Sequence, residues 1–302
     1  MADAAAYVLI RSFVTLVGLV PRSLAYLICE TIAALVYFLD QKHRRIGTIN
    51  LRIAFPEKSD SWRRRVLRQS FQQVADQVVE LSRIPRLNAA KLAGRVRYEE
   101  GCGLEHYRRA KEQGKGVLFL TAHVSAWELL PTAHALYGHP LSFVVRPLDN
   151  PYLDRWAQRL RSRVGNQVLA KQGSILRIMR ILKRNGDIGF LIDQNVQEKD
   201  GVFAPFFDRP ACTTSSLAAL ALRSEAPVVP GFIYPMGRRG LYRIRFYPPL
   251  QVVRTGDQKN DLIENTAIYN QYIEQVIREF PHCWLWGHRR FRTQPDGSNL
   301  YR

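Results

Sequence analysis

The chain has 302 residues, 46% hydrophobic and 11% aromatic, which excludes a disordered tail and leaves room for one large α/β domain or two small ones. Lys and Arg number 44 against 26 Asp and Glu, a formal net charge of +18, so the expected partner is anionic: nucleic acid, a membrane surface, phosphorylated lipid or an acidic carrier protein. Four scattered cysteines (Cys29, Cys102, Cys212, Cys283) form no CxxC pair, which argues against structural zinc or a redox dithiol and fits a reducing compartment.

Residues 4–20 carry one charge, Arg11, and residues 23–39 carry one more, Glu30. Each apolar stretch sits at the lower edge of what spans about 30 Å of hydrocarbon, with an ionic group near its middle. No basic start or small-residue cleavage site marks a secretory signal. The pattern predicts a helical hairpin, or two short helices, lying in or dipping into a membrane face; the competing reading is a buried helical pair. Between Gln41 and Arg97 there are 14 Lys/Arg and 4 Asp/Glu. Positive residues beside an apolar anchor favour the cytoplasmic, anionic-lipid side of the inner (plasma) membrane.

Trp62, Val66, Leu67, Phe71, Val74, Val78 and Leu81 recur at helical spacing over 61–83, and Pro85 ends that helix. Short apolar runs then read as strands at 116–121, 141–145, 167–170, 188–192, 227–234 and 242–247. Helical windows fall at 104–113, 127–137, 152–164, 174–183, 215–224 and 262–280. This alternation predicts an α/β fold, a mixed central sheet covered by helices on both faces, behind the N-terminal hydrophobic arm.

His123 follows the run that ends at Thr121, at the carboxyl end of a strand, where open α/β sheets place ligands. Glu128 comes five residues later. On a straight helix that offset is about 140° and keeps the side chains apart. With His123 on a loop, the carboxylate can hold the Nδ1 proton and leave Nε2 free as a base. A lone histidine beside a strand is otherwise a satisfied core or surface residue.

The HxxxxE motif, His123-Val-Ser-Ala-Trp-Glu128, resembles that of glycerolipid-type acyltransferases. Four further blocks extend the resemblance to the bacterial lipid A biosynthesis acyltransferases, the lauroyl and myristoyl transferases: 145–151 (VRPLDNP), 192–195 (IDQN), 201–213 (GVFAPF to ACT) and 284–291 (WLWGHRRF). Phosphatidylinositol mannoside acyltransferases share the fold and differ in acceptor. The resemblance implies a membrane-associating arm over 1–40 and an acyltransferase domain over 41–302. It also implies transfer of a fatty acyl group from acyl carrier protein or coenzyme A to a hydroxyl of a phosphorylated glycolipid, in a late step of lipid A and lipopolysaccharide biosynthesis. His123 is then the general base. Glu128 and Asp193 compete as its partner. Motif grounds favour Glu128; the mannoside acyltransferases use an acid at the position of Asp193.

Arg146 is a candidate for the oxyanion or a substrate phosphate. Gln194 closes the same predicted strand as Asp193. Thr213 and Thr214 read as N-cap residues at a helix start able to bind an anion. His288, Arg289 and Arg290, beside Trp284 and Trp286, suit a phosphorylated, partly apolar ligand. Phe203, Phe206 and Phe207 read either as an acyl channel or as core. The seven histidines show no HxxxH or HExxH spacing, so no metal is expected. No Walker loop or GxSxG elbow occurs, no cofactor is expected, and Gly114-Lys115-Gly116 marks a turn into a strand. Cys102 has no evident activator. A nucleic-acid binder needs neither the arm nor the His123 motif, so nucleic acid is not expected. Acylation of another polar lipid, such as a phosphatidylinositol mannoside, and a non-catalytic basic membrane-peripheral lipid-binding protein are the alternatives.

Overall fold

Two helices open the chain, as their apolar runs predict. The computed structural model, which describes residues 2–101, 103–170 and 173–301, has α1 at Ala2–Leu19 and α2 at Arg22–Leu39, with Pro21 between them. Both are long and apolar enough to cross a membrane. Next come α3 (Gln41–Ala54), α4 (Asp60–Arg83) and the short α5 (Ala89–Ala93). Asp40 starts α3 by accepting from the His43 N–H, and Ser59 starts α4 by accepting from the Trp62 N–H. Over 41–54 basic residues hide, in the linear sequence, the helical stripe that buries Ile46, Asn50, Leu51 and Ala54.

Strands and helices then alternate: β1 (Val96–Tyr98), α6 (Leu104–Glu112), β2 (Val117–Thr121), α7 (Leu129–Leu136), β3 (Ser142–Val145), α8 (Pro151–Ser162), β4 (Gln167–Ala170), α9 (Ile175–Lys183) and β5 (Asp187–Leu191). A hairpin, β6 (Gly201–Phe206) and β7 (Arg209–Thr214), precedes α10 (Ser216–Ser224), β8 (Val228–Met236), β9 (Arg238–Phe246) and α11 (Gln258–Glu279). Seven strands form one sheet in the order β1-β9-β8-β2-β5-β3-β4. All its pairs are parallel except β8 with β9, so the sheet is mixed, as expected.

Along β2 the side chains alternate between two cores. Leu118 and Leu120 join Ile188 and Phe190 on one face, and Val117 and Phe119 join Phe143 and Val229 on the other. Gly116 sets the entry to β2 with φ +73°, and a Cβ there would lie 2.4 Å from the Gly186 carbonyl oxygen, so only glycine fits.

The β6–β7 hairpin was not anticipated. Pro205 and Pro210 oppose each other in it, and proline weakens a strand reading. Its turn uses Phe207 and Asp208, both with positive φ, in place of the usual Asn-Gly signal.

The arm helices pack against α4: Val17, Ala25, Tyr26, Cys29 and Ala33 bury with Ala75 and Val79. Their other faces stay exposed, with Leu9, Leu16, Leu27 and Leu35 each more than half accessible.

Candidate active site

The site is built where β2 and β5 end side by side. Their parallel register places Thr121 opposite Leu191, so His123 and Asp193, each two residues further on, emerge as neighbours. His123 lies on the loop between β2 and α7. A tight turn, Val124 N–H to the Ala122 carbonyl at 2.8 Å, swings the chain away from the strand. The loop is then fastened to the 283–285 segment. Ser125, with φ +53°, donates its N–H to the Cys283 carbonyl, Val124 bridges Trp284, and the Leu285 N–H reaches the His123 carbonyl.

Asp193 is 1% exposed and fully committed. Its Oδ1 accepts from His123 Nδ1 at 2.8 Å, and its Oδ2 accepts from the His123 backbone N–H at 3.0 Å and from the Trp284 indole N–H at 2.8 Å. Burial pushes this carboxyl upward, but the imidazole charge and these hydrogen bonds outweigh it and hold the pKa at about 2. Burial likewise pulls His123 downward, and Asp193, with a smaller contribution from Glu128, outweighs it, so the imidazole is raised above its ordinary value. With Nδ1 donating to the carboxylate, Nε2 carries the free lone pair. Gln194 Nε2 approaches it at 3.4 Å, and the Trp127 ring stands edge-on to the imidazole, 5.3 Å between centroids. The His123 side chain keeps 21% of its surface, so the ring is not sealed.

Glu128, favoured on motif grounds, does not touch the ring. Both its oxygens are taken by the guanidinium of Arg161 on α8, including Arg161 Nε to Oε2 at 3.0 Å. The physical reason is strand adjacency: Asp193 arrives beside His123 through the sheet, whereas Glu128 sits at the start of α7 and faces α8. Arg161 carried no local signal, being 33 residues from its partner.

The other predicted residues divide. His288 belongs to the supporting frame: its Nε2 accepts the Asn195 N–H at 2.9 Å, and burial lowers its pKa to about 4, keeping it a neutral acceptor. Arg146 follows β3, on the same sheet edge, with its side chain 81% exposed and paired only loosely with Asp149 at 3.3 Å. Arg289 is half-buried.

Two expectations are corrected. Arg290 is fully buried and donates to the Cys212 carbonyl and to Thr213 Oγ1, so it braces β7 and cannot meet a ligand. Thr213 is equally buried, lies in β7 and caps no helix; α10 starts after Ser215. Phe206 and Phe207 are buried in the core, Phe206 against Trp284. Cys102 lies outside the described residues.

A cleft of about 460 Å³ lies between the arm and this frame. Phe13, Ile32, Val36, Phe71 and Val74 line it on one side, and Leu285, Trp286 and His288 close it on the other. Its wall is thus the segment that holds the His123 loop.

The family model for the bacterial lipid A biosynthesis acyltransferases matches residues 3–293. A lipid A biosynthesis acyltransferase of Haemophilus influenzae is 25% identical over 292 residues, covering 96% of this chain and 88% of its own. The lipid A biosynthesis lauroyltransferase of Escherichia coli is 29% identical over 264 residues, covering 85% of this chain and 81% of its own. The myristoyltransferase of the same organism is 22% identical over 260 residues, covering 86% and 78%.

Proposed function

This chain belongs to the bacterial lipid A biosynthesis acyltransferase family, and from that premise we propose that it transfers a fatty acyl group from a thioester on acyl carrier protein or coenzyme A to a hydroxyl of a phosphorylated glycolipid. The observation that carries the mechanism is the His123–Asp193 pair, with Nδ1 held by the carboxylate and Nε2 turned to the sheet edge beside the Gln194 amide.

Nε2 takes the proton of the acceptor hydroxyl as its oxygen attacks the thioester carbonyl. The C–S bond of the tetrahedral intermediate then breaks, and the proton passes from the imidazolium to the departing sulfur. The product is an ester, with no covalent enzyme intermediate. Asp193 fixes the tautomer and stabilises the imidazolium. The Gln194 side-chain amide, beside Nε2, is placed to donate to the oxyanion. Arg146 reaches into solvent on the same edge and suits an acceptor phosphate. Glu128 and Arg161 act through position, balancing charge beside the ring.

The apolar cleft supports a binding place for an acyl chain, since it is of ligand-pocket size and lined mainly by carbon. The net charge of +18 suits an acidic carrier and an anionic cytoplasmic membrane face, and raised salt then increases KM for the carrier-bound donor.

Mass spectrometry of the lipid pool, with the enzyme or its His123→Ala variant, tests the reading. A mass gain of one acyl ester on a phosphorylated glycolipid, absent with the variant, is expected. A gain on a phosphatidylinositol mannoside would change the acceptor; an unchanged pool would defeat the function.

A further inference from the structure

The sequence left open whether the arm crosses the membrane. Its exposed apolar surface is concentrated: among the described residues, twelve of the seventeen exposed large apolar side chains lie on α1 and α2. Four of the other five are Leu148 and Tyr152, which follow β3, and Ile175 and Leu176, which follow β4. Leu148 precedes α8, Tyr152 lies on the first turn of α8, and Ile175 and Leu176 open α9, all at the carboxyl edge of the sheet that carries His123 and Asp193. A soluble monomer rarely exposes an apolar patch of this extent.

Both arm helices are tied to the domain at both ends. At the start of α1, Asn150 Nδ2 donates to the Asp3 carbonyl at 2.8 Å, and Tyr7 stacks on Tyr152, 5.9 Å between centroids. At its end, Arg83 donates to the carbonyls of Val17, Gly18 and Val20, and Arg86 to Gly18, satisfying the helix terminus. Contact there is close, since a Cβ on Gly18 would lie 2.7 Å from the Ser82 carbonyl oxygen. The first turns of α2 are held by Glu80, which accepts from Arg22 at 2.6 Å and Tyr26 at 2.5 Å. Its last turn is held by Arg44, which donates to the Tyr37 and Phe38 carbonyls. A helix of 18 residues is about 27 Å long. If it crossed the hydrocarbon, one end would stand about 30 Å from a domain on one side. The mid-helix charges agree. Glu30 is paired with Arg239 of β9, and exposed Arg11 suits the headgroup level rather than the bilayer centre.

We propose that α1 and α2 form an in-plane anchor that seats the carboxyl edge of the sheet on an anionic phospholipid bilayer without crossing it. This deepens the proposed function, because it brings the His123 edge and the apolar cleft to a lipid acceptor. Charge selects the occupant. Exposed Lys42, Arg45, Arg64, Arg65, Arg155 and Arg159 lie on the elements next to the arm, so a second copy of this chain brings like charge and an anionic lipid face brings opposite charge.

The test uses the full chain on vesicles of mixed phosphatidylethanolamine and phosphatidylglycerol. Single exposed positions (Leu9→Cys and Leu16→Cys on α1, Leu27→Cys and Leu35→Cys on α2) carry an environment-sensitive fluorophore, read against the labelled parent chain. Lipids with quenchers at set depths report position. All four sites are expected at one shallow depth, and about a tenfold loss of vesicle binding is expected when phosphatidylglycerol is replaced by phosphatidylcholine. A ladder of depths along either helix overturns the proposal, as does binding that ignores lipid charge. A second readout is cross-linking of Tyr7→Cys to Tyr152→Cys by a short bismaleimide. It is expected to persist on vesicles, and its loss on binding means that α1 has left the domain. Acyl transfer is assayed on the same vesicles doped with a phosphorylated glycolipid acceptor and supplied with an acyl thioester donor. Uniform shallow depth without transfer defeats the enzymatic reading alone; transfer with graded depth defeats the in-plane anchor alone.

Discussion

Strand β5 carries a buried aspartate near each end, and the two have different surroundings. Asp187, at its start, accepts from the Tyr107 hydroxyl at 2.7 Å and from Lys111 Nζ at 2.5 Å. Asp193, two residues past its end, accepts from Trp284 and from both the ring and the backbone of His123. Both carboxylates are under 5% exposed. At Asp187 the partners are the Tyr107 hydroxyl, whose pKa burial raises, and the Lys111 amine, two donors on α6 that tie the helix to the sheet. At Asp193 one partner is an imidazole with a second nitrogen still accessible, so a proton can come and go. Burial of an acid does not mark a catalytic site; the difference lies in whether its partner can change protonation state.

The sharpest way to break this comparison is His123→Ala. Acyl transfer is expected to fall by about 10²–10⁴-fold, with thermal unfolding little changed. Wild-type turnover by the variant would remove the base. Next come paired substitutions on β5. Asp193→Asn is expected to cost about 10²–10⁴-fold in kcat, because the Nδ1–H tautomer loses its acceptor. Asp187→Asn should leave kcat within a few-fold and lower stability by about 1–3 kcal/mol in urea unfolding, the cost of weakening charge-assisted hydrogen bonds. The reverse pattern would exchange the roles of the two strand ends.

Glu128→Gln is expected to act more mildly, by about 10-fold to 100-fold, by freeing Arg161 and unbalancing the charge beside His123. A loss equal to that of Asp193→Asn would place Glu128 in the chemistry itself. The smallest effect is on pH dependence. Because the folded His123 value is raised, the acid limb of kcat/KM should have its midpoint above about 6.5, with rate rising as the neutral base forms. Glu128→Gln should move that midpoint down, and Asp193→Asn should move it further. For stability the signs are opposite. The contribution of His123 is present below its unfolded value and lost as pH rises through its raised folded value. The contribution of Asp193 is present above the ordinary carboxylate value and lost as pH falls toward about 2. Urea unfolding across these windows checks both.

Much of this frame was legible locally. The six predicted strands and the helices between them appear within a few residues of their expected positions, because burial on both sheet faces leaves near-continuous apolar runs. The hairpin over 201–214 was illegible because paired prolines and a turn without glycine mask a strand signature. Arg290 looked like a surface ligand because its neighbours are basic; only packing reveals that its charge is spent on the Cys212 carbonyl and Thr213.

The amino-acid order alone determined that an apolar arm precedes an α/β domain, that a histidine stands where a strand gives way to a loop, and that the motif blocks follow the order of one acyltransferase family. Those properties are written in neighbouring residues. Which acid serves the histidine, which arginines are free and how the arm lies against the domain were decided only by tertiary structure. Each depends on groups tens of residues apart that meet through strand register or helix packing, and a linear pattern carries no record of that meeting.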